Sequence, residues 1–151
     1  AGCFGHGDSF VMRDPCGIRP AFYMANDEVI VVASEAPLIQ TVFQAPMEEV
    51  HPLPPGQALV MKRSGKWSLE TVLPPQALKQ CSFERIYFSR GNDAGVYRER
   101  ERLGRAMLLP LVKMLEAKGD TLANAVLSFI PNTAELAFIG LHKEAVDEMG
   151  R

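Results

Sequence analysis

The sequence predicts an α+β fold in which a strand-rich half precedes a helix-rich half. Three observations carry this reading. Short apolar runs separated by turn residues fill positions 1–73. Pro74-Pro75 then interrupts the chain, and beyond it apolar residues recur at helical spacing. With 151 residues, 47% of them apolar and 23% charged, the chain can bury enough surface to offset its conformational entropy, which excludes a disordered tail.

Each element follows from local chemistry. Residues 8–13 alternate Phe10 and Met12 with Ser9, Val11 and Arg13, a strand pattern. Asp14-Pro15-Cys16-Gly17 has proline second and glycine fourth, the signature of a type I turn. Pro20 to Met24 is a short aromatic run, Asn26-Asp27 a turn, and Glu28 to Ala33 a nearly all-apolar strand. Ser34 and Glu35 then open a helix, Ser34 as cap and Glu35 at the positive end of the dipole, with Pro37 tolerated in the first turn. Leu38, Ile39, Val42 and Phe43 form its apolar face, and Pro46 ends it. Glu49 to Leu53 and Ala58 to Lys62 are strands around the turn Pro54-Pro55-Gly56-Gln57, and Ser64-Gly65 turns the chain into a returning strand, Trp67 to Leu73.

Residues 74–93 read as an interdomain connection containing a short strand, Arg85 to Ser89. From Ala94 a helix is expected to reach Lys118, with Leu103, Met107, Leu111 and Met114 as its apolar stripe and Glu101 and Arg105 paired one turn apart. Pro110 removes the hydrogen bond to the carbonyl of Ala106 and should bend this helix, and Gly119 stops it. Ala125 to Ile130 is a buried-type strand, and Asn132 or Thr133 caps a last helix ending near Met149. The domain reading is therefore 1–73, a connection over 74–93, and a second domain over 94–151. That second domain is incomplete, because its strand has no successor to close a βαβ unit.

Composition narrows the function. Sixteen basic and eighteen acidic side chains give a net charge of −2, with no electrostatic reason to expect nucleic acid or an anionic membrane as partner. No apolar run approaches the roughly 20 residues needed to span a bilayer. The N-terminus lacks the basic and apolar regions of a secretion signal, and three cysteines, an odd count, suit a reducing compartment. The expected location is cytoplasmic.

A search for chemistry returns little. There is no G-x-S-x-G elbow. Cys3 is preceded by Ala1 and Gly2, so it lacks the free amine that an N-terminal nucleophile uses as base. Cys3-x-x-His6 is half a zinc motif, with Cys16, His51, Cys81 and His142 scattered. Gly5-x-Gly7 has neither a third glycine nor a helix behind it to cradle phosphate, and Arg98 to Arg102 alternates with glutamate as a solvated helix face does. On residues alone, no catalytic or cofactor-binding side chain is assigned.

Three stretches carry a resemblance. Gly5-His6-Gly7, then Arg13-Asp14-Pro15-Cys16-Gly17-Ile18-Arg19-Pro20 and Val32-Ala33-Ser34-Glu35, resemble the second half of a class II glutamine amidotransferase domain, in a pattern shared with asparagine synthetases. Cys81-Ser82-Phe83-Glu84-Arg85-Ile86-Tyr87-Phe88-Ser89-Arg90, followed by Val96-Tyr97 and Arg102-Leu103-Gly104, is similar to the segment that joins the two domains in the amidophosphoribosyltransferase family, with Leu103 in place of methionine. Ser128 to Thr133 resembles, in divergent form, that family's first phosphoribosyltransferase strand.

The resemblance implies part of an N-terminal-nucleophile (Ntn) glutaminase sheet sandwich over 1–73, then a long helix and the first strand and helix of an α/β phosphoribosyltransferase domain. It implies a parent enzyme that transfers glutamine-derived ammonia to phosphoribosyl pyrophosphate, giving 5-phosphoribosylamine, the first committed step of purine synthesis. The parent would use magnesium with the pyrophosphate substrate. The nucleophilic cysteine would lie upstream and the phosphate loop downstream, leaving these residues an inactive internal segment. Asp14 and Arg19 would shape a turn and Ser34 a helix cap. Some family members hold an iron–sulfur cluster, one of whose ligands corresponds to Cys81. Exposed sheet faces imply pairing with a second copy in a dimer. The alternatives are a stand-alone scaffold or regulatory domain that has lost both sites, or part of another class II amidotransferase such as asparagine synthetase, which lacks the Cys81–Arg90 segment.

Overall fold

The computed structural model describes residues 1–150 and divides the chain into two compact units, Ala1–Glu84 and Arg85–Arg151. In the first unit seven strands form two antiparallel sheets. Strands β1 (Gly2–Cys3), β2 (Ser9–Met12), β6 (Gln57–Met61) and β7 (Trp67–Thr71) lie in that order in one sheet. Strands β4 (Ile30–Ala33), β3 (Phe22–Ala25) and β5 (His51–Pro52) make the other. Helix α1 (Ala36–Phe43) adds a third layer.

Alternation along β3 explains the layering. Tyr23 and Met24 are neighbours that point to opposite faces. Tyr23 packs with Leu53 and Leu59 between the sheets, joined by Val11, Val32, Met61 and Leu69. Met24 packs with Ile39 of α1 and Val50 on the other side. A one-residue slip of β3 would exchange these two cores, so the register Tyr23↔Val32 and Met24↔Val31 is strongly specified.

Turn chemistry sets the joins. Gly65, at φ 85°, follows a turn closed by its own N–H on the carbonyl of Lys62, and the Lys62 N–H donates to Lys66, so β6 and β7 pair with Met61 opposite Trp67. The left-handed Gly56 (φ 76°) sits third in the turn Pro54–Gln57, and a Cβ there would strike the carbonyl oxygen of Leu73.

In the second unit, α2 (Ala94–Ala106) and α4 (Glu135–Met149) pack together, with α3 (Leu108–Ala117) between them in sequence. The crossing is made by two glycines. A Cβ on Gly104 would fall on the Ala137 carbonyl, and one on Gly140 on the Glu101 carbonyl. Helix α2 is capped by Asp93, whose Oδ1 accepts from the N–H groups of Gly95 (2.7 Å) and Val96 (3.0 Å). Helix α3 ends in a Schellman motif. Gly119 (φ 74°) donates to Glu116, and Asp120 to Leu115.

Several expectations are corrected. The helix expected over 94–118 is two helices, because Pro110 has no N–H for the Ala106 carbonyl and the chain turns at Met107. Its buried side is Val96, Arg100, Gly104 and Leu108, while Leu103, Met107 and Met114 stay exposed, since the close approach of α4 requires glycine rather than leucine. Residues 84–88 form a π-helix, not a strand. Ala125 to Ile130 joins neither sheet, and Val126 and Ile130 are 94% and 84% exposed; a strand exists only where a ladder partner does. Ser34 does not cap α1. The helix starts at Ala36, and Pro37 withholds one of the N–H groups a cap would bind. On α1 only Ile39 of the expected face is buried, with Leu38, Val42 and Phe43 exposed. Helix α4 begins after Ala134 without a side-chain cap, Asn132 being left-handed at φ 83°. The strand expected over Glu49 to Leu53 is reduced to His51–Pro52, preceded by a 3-10 turn over Met47–Glu49.

Candidate functional site

The segment Arg13 to Pro20 is fixed by side-chain as well as backbone hydrogen bonds. The Arg13 guanidinium donates to three backbone carbonyls, those of Arg19 (2.9 Å), Leu53 (2.9 Å) and Gly17 (3.2 Å). The Asp14 carboxylate accepts from the N–H groups of Cys16 (2.9 Å) and Ile18 (2.9 Å), while its own carbonyl accepts from Gly17. This is an Asx-turn locked inside a β-turn, with Gly17 in the left-handed region at φ 59°. The N–H of Gly56 reaches the carbonyls of Arg13 and Asp14 at 3.2 Å.

Residues 76–81 lie along this turn as a strap. Gln76 donates to Pro15, Lys79 to Cys16 and Cys81 to Ile18, at 2.9–3.1 Å. Arg19, beyond the turn, meets the buried carboxylate of Glu84 at 2.6 Å. Asp14 shapes the turn as expected, but Arg13 rather than Arg19 staples it. Its signal in the sequence is an arginine adjacent to a turn rich in carbonyls without strand partners, and that signal is weak.

Chemically the arrangement holds shape. Arg13 and Asp14 are both committed to the backbone, so neither is presented as an acid, base or clamp. Cys81 is a half-buried free thiol, Cys16 contacts Gln76 Oε1 at 3.5 Å, and Cys3 is exposed. Among the described residues no group of three or more His, Cys, Asp or Glu side chains could hold a metal ion. A thiolate cluster needs four ligands, so Cys81 with its neighbours in this structure does not fit one. Ser34 is exposed in the link between β4 and α1.

A second polar cluster closes the β1–β2 hairpin. Asp8 accepts from Lys62 Nζ (2.9 Å) and the N–H of Arg63 (3.0 Å), and His6 Nε2 lies 3.3 Å away. The Lys62 ammonium, then the Arg63 amide, hold the Asp8 carboxyl down at about 2. In the second unit Lys143 holds Glu101 below the usual carboxylate range, and Glu144 holds Arg105 protonated beyond its ordinary value. No helix among the described residues is long and apolar enough to cross a membrane.

Two antiparallel sheets sharing a core, with the stapled R-D-P-x-G-I-R-P turn held against them by Arg13, make an Ntn-type sheet sandwich of the first unit. No family model matches the chain. It is, however, 32% identical over 104 residues to the amidophosphoribosyltransferase of Methanothermobacter thermautotrophicus, covering 66% of this chain and 21% of that protein. It is 28% identical over 139 residues to the chloroplastic amidophosphoribosyltransferase of Glycine max, covering 89% and 22%. In fold it is similar to the glutamine phosphoribosylpyrophosphate amidotransferase of B. subtilis complexed with ADP and GMP, with a TM-score of 0.66 at 22% identity over 92% of this chain and 29% of that one. A second solved structure, described as the allosteric regulatory enzyme of purine biosynthesis, gives a TM-score of 0.62 at 28% identity over 91% and 28%. The chain thus resembles a segment of the amidophosphoribosyltransferases in both sequence and fold, and it spans about a fifth of the length of the curated relatives it matches.

Proposed function

We propose that this chain is scaffold within an enzyme that transfers ammonia from glutamine to phosphoribosyl pyrophosphate, yielding 5-phosphoribosylamine for de novo purine synthesis. The similarity to the Glycine max relative over 89% of the chain carries this reading. The Cys81–Arg90 segment favours this family over asparagine synthetases. In the proposal residues 1–73 belong to the glutaminase domain, 74–93 connect, and 94–151 open the transferase domain. The attacking thiol, the pyrophosphate site and its magnesium lie outside these residues, and Cys81 serves as a cluster ligand only where further cysteines of the parent complete the set. Cytoplasmic residence is part of the proposal, although the plant relative is chloroplastic by name. So is association of two copies of the chain through its exposed apolar surface.

Two measurements test it together. The 151-residue chain is expected to release no glutamate from glutamine and to consume no phosphoribosyl pyrophosphate. The full-length protein that contains it is expected to restore growth of a purine auxotroph lacking this step. Glutamate release by the chain alone, or failure of the well-expressed full-length protein to complement, overturns the reading.

A further inference from the structure

Arg100 is 8% exposed, yet among the described residues no carboxylate pairs with it. Its neighbours Glu99 and Glu101 are engaged elsewhere, Glu99 with Arg85 and Glu101 with Lys143 and Arg105. The guanidinium instead donates to one short stretch of backbone. It reaches the carbonyls of Arg85 (3.1 Å), Ile86 (3.0 Å) and Ser89 (2.6 Å), and Ser89 Oγ at 3.4 Å. That stretch is the π-helix Glu84–Phe88 and the residue after it. Ser89 Oγ, in turn, donates to the Arg85 carbonyl at 2.9 Å.

A π-turn is rare because its wide i→i+5 ring packs poorly, and it persists where something else holds its carbonyls. A buried cation is likewise costly unless its donors are met. Each defect here answers the other. The carbonyls of the widened turn converge on one edge of the guanidinium, with Nη2 reaching those of Arg85, Ile86 and Ser89 and Nε reaching that of Arg85 at 3.3 Å. Charge and register are therefore coupled: removing the fork removes the reason for the extra residue in the turn.

We propose that Arg100 is a positioning residue that latches residues 84–88 in π register, and that unseating it lets them relax to α register. Closing the ring by one residue rotates the succeeding side chains by about 100°. Ile86, Tyr87 and Phe88, all exposed, ride on this turn, so the latch sets which way an apolar surface faces.

The test uses the 151-residue chain and amide exchange with carbon chemical shifts. In Arg100→Gln, amides of residues 86–90 are expected to exchange about tenfold faster, the equivalent of one lost hydrogen bond. Their Cα shifts should move to α-helical values, while amides of 137–141 at the α2–α4 crossing keep their protection. Arg100→Lys, which keeps the charge but not the fork, should fall between the two. Unchanged exchange and shifts over 86–90 in Arg100→Gln overturn the latch, as does full wild-type behaviour in Arg100→Lys. If Arg100→Gln does not fold, the wild-type side chain decides. Slowly exchanging, separately resolved guanidinium protons support the latch, and a single averaged signal overturns it.

Discussion

Arg13 donates to carbonyls on two stretches of backbone, Gly17 and Arg19 in its own turn and Leu53 just after β5, so it ties the turn to the sheet behind it. Arg13→Ala is expected to destabilise the first unit by about 2–3 kcal/mol, as loss of a charge-assisted bond with its carbonyls left to water does, read as a lower urea midpoint. Arg13→Lys should recover only part, since an ammonium cannot span the three directions. Asp8 makes a prediction in pH. Its folded value of about 2 lies below the unfolded value of about 3.9, so the unfolded chain binds a proton first. The stabilisation is fully present above about pH 4 and is lost as pH falls towards 2. Carboxyl NMR should place its midpoint near 2, and Asp8→Asn should flatten the acid limb of the stability curve in that window. A midpoint of about 4 would show that Lys62 and Arg63 do not hold it. The Asp14 turn was legible from residue types alone, because Asp, Pro and Gly each have one dominant use at their turn positions. The Arg13 staple was not, since it depends on carbonyls brought together from residues 17, 19 and 53.

At the scale of elements, the α2–α4 crossing turns on Gly104 and Gly140, each facing a carbonyl of the opposite helix. Alanine at either position is expected to cost at least about 1–3 kcal/mol, because the obstacle is backbone and the helices must move apart. The double variant should be less than additive, as one separation relieves both clashes. Thermal unfolding followed by helical circular dichroism checks this, and a neutral Gly140→Ala would mean the helices are not in contact there. Sequence periodicity pointed to the wrong side of α2. It counts apolar residues, and here the buried side of α2 is Val96, Arg100 and Gly104, two of the three being arginine and glycine, with Leu108 continuing it at the start of α3. The cap of the same helix was present in the sequence as Asp93, one residue before the expected start. The helix break was legible as a fault at Pro110, and it interrupts the helix at the single residue Met107, which itself stays right-handed at φ −77° and ψ −17°.

At the scale of the molecule, the sheet sandwich was legible because its strands find their partners within the chain. The strand expected at Ala125 to Ile130 was not realised, because nothing among the described residues pairs with it. One side of that segment is nonetheless engaged, with Phe129 stacked on Phe138 of α4 at 4.8 Å, while Val126 and Ile130 face solvent. An apolar, β-prone segment with free backbone groups is a surface for another strand. If two copies associate, this segment is where the gain in buried area is largest per residue. Light scattering of the chain at micromolar concentration is then expected to report a dimer, and the double substitution Val126→Asp, Ile130→Asp should shift it to monomer. Because both side chains are already in water, the monomer should lose less than about 0.5 kcal/mol, so an unchanged circular dichroism spectrum accompanies the shift. A wild-type chain that stays monomeric at these concentrations removes the self-association reading. A dimer indifferent to both aspartates moves the contact to another exposed apolar surface, such as Leu38, Val42 and Phe43 of α1.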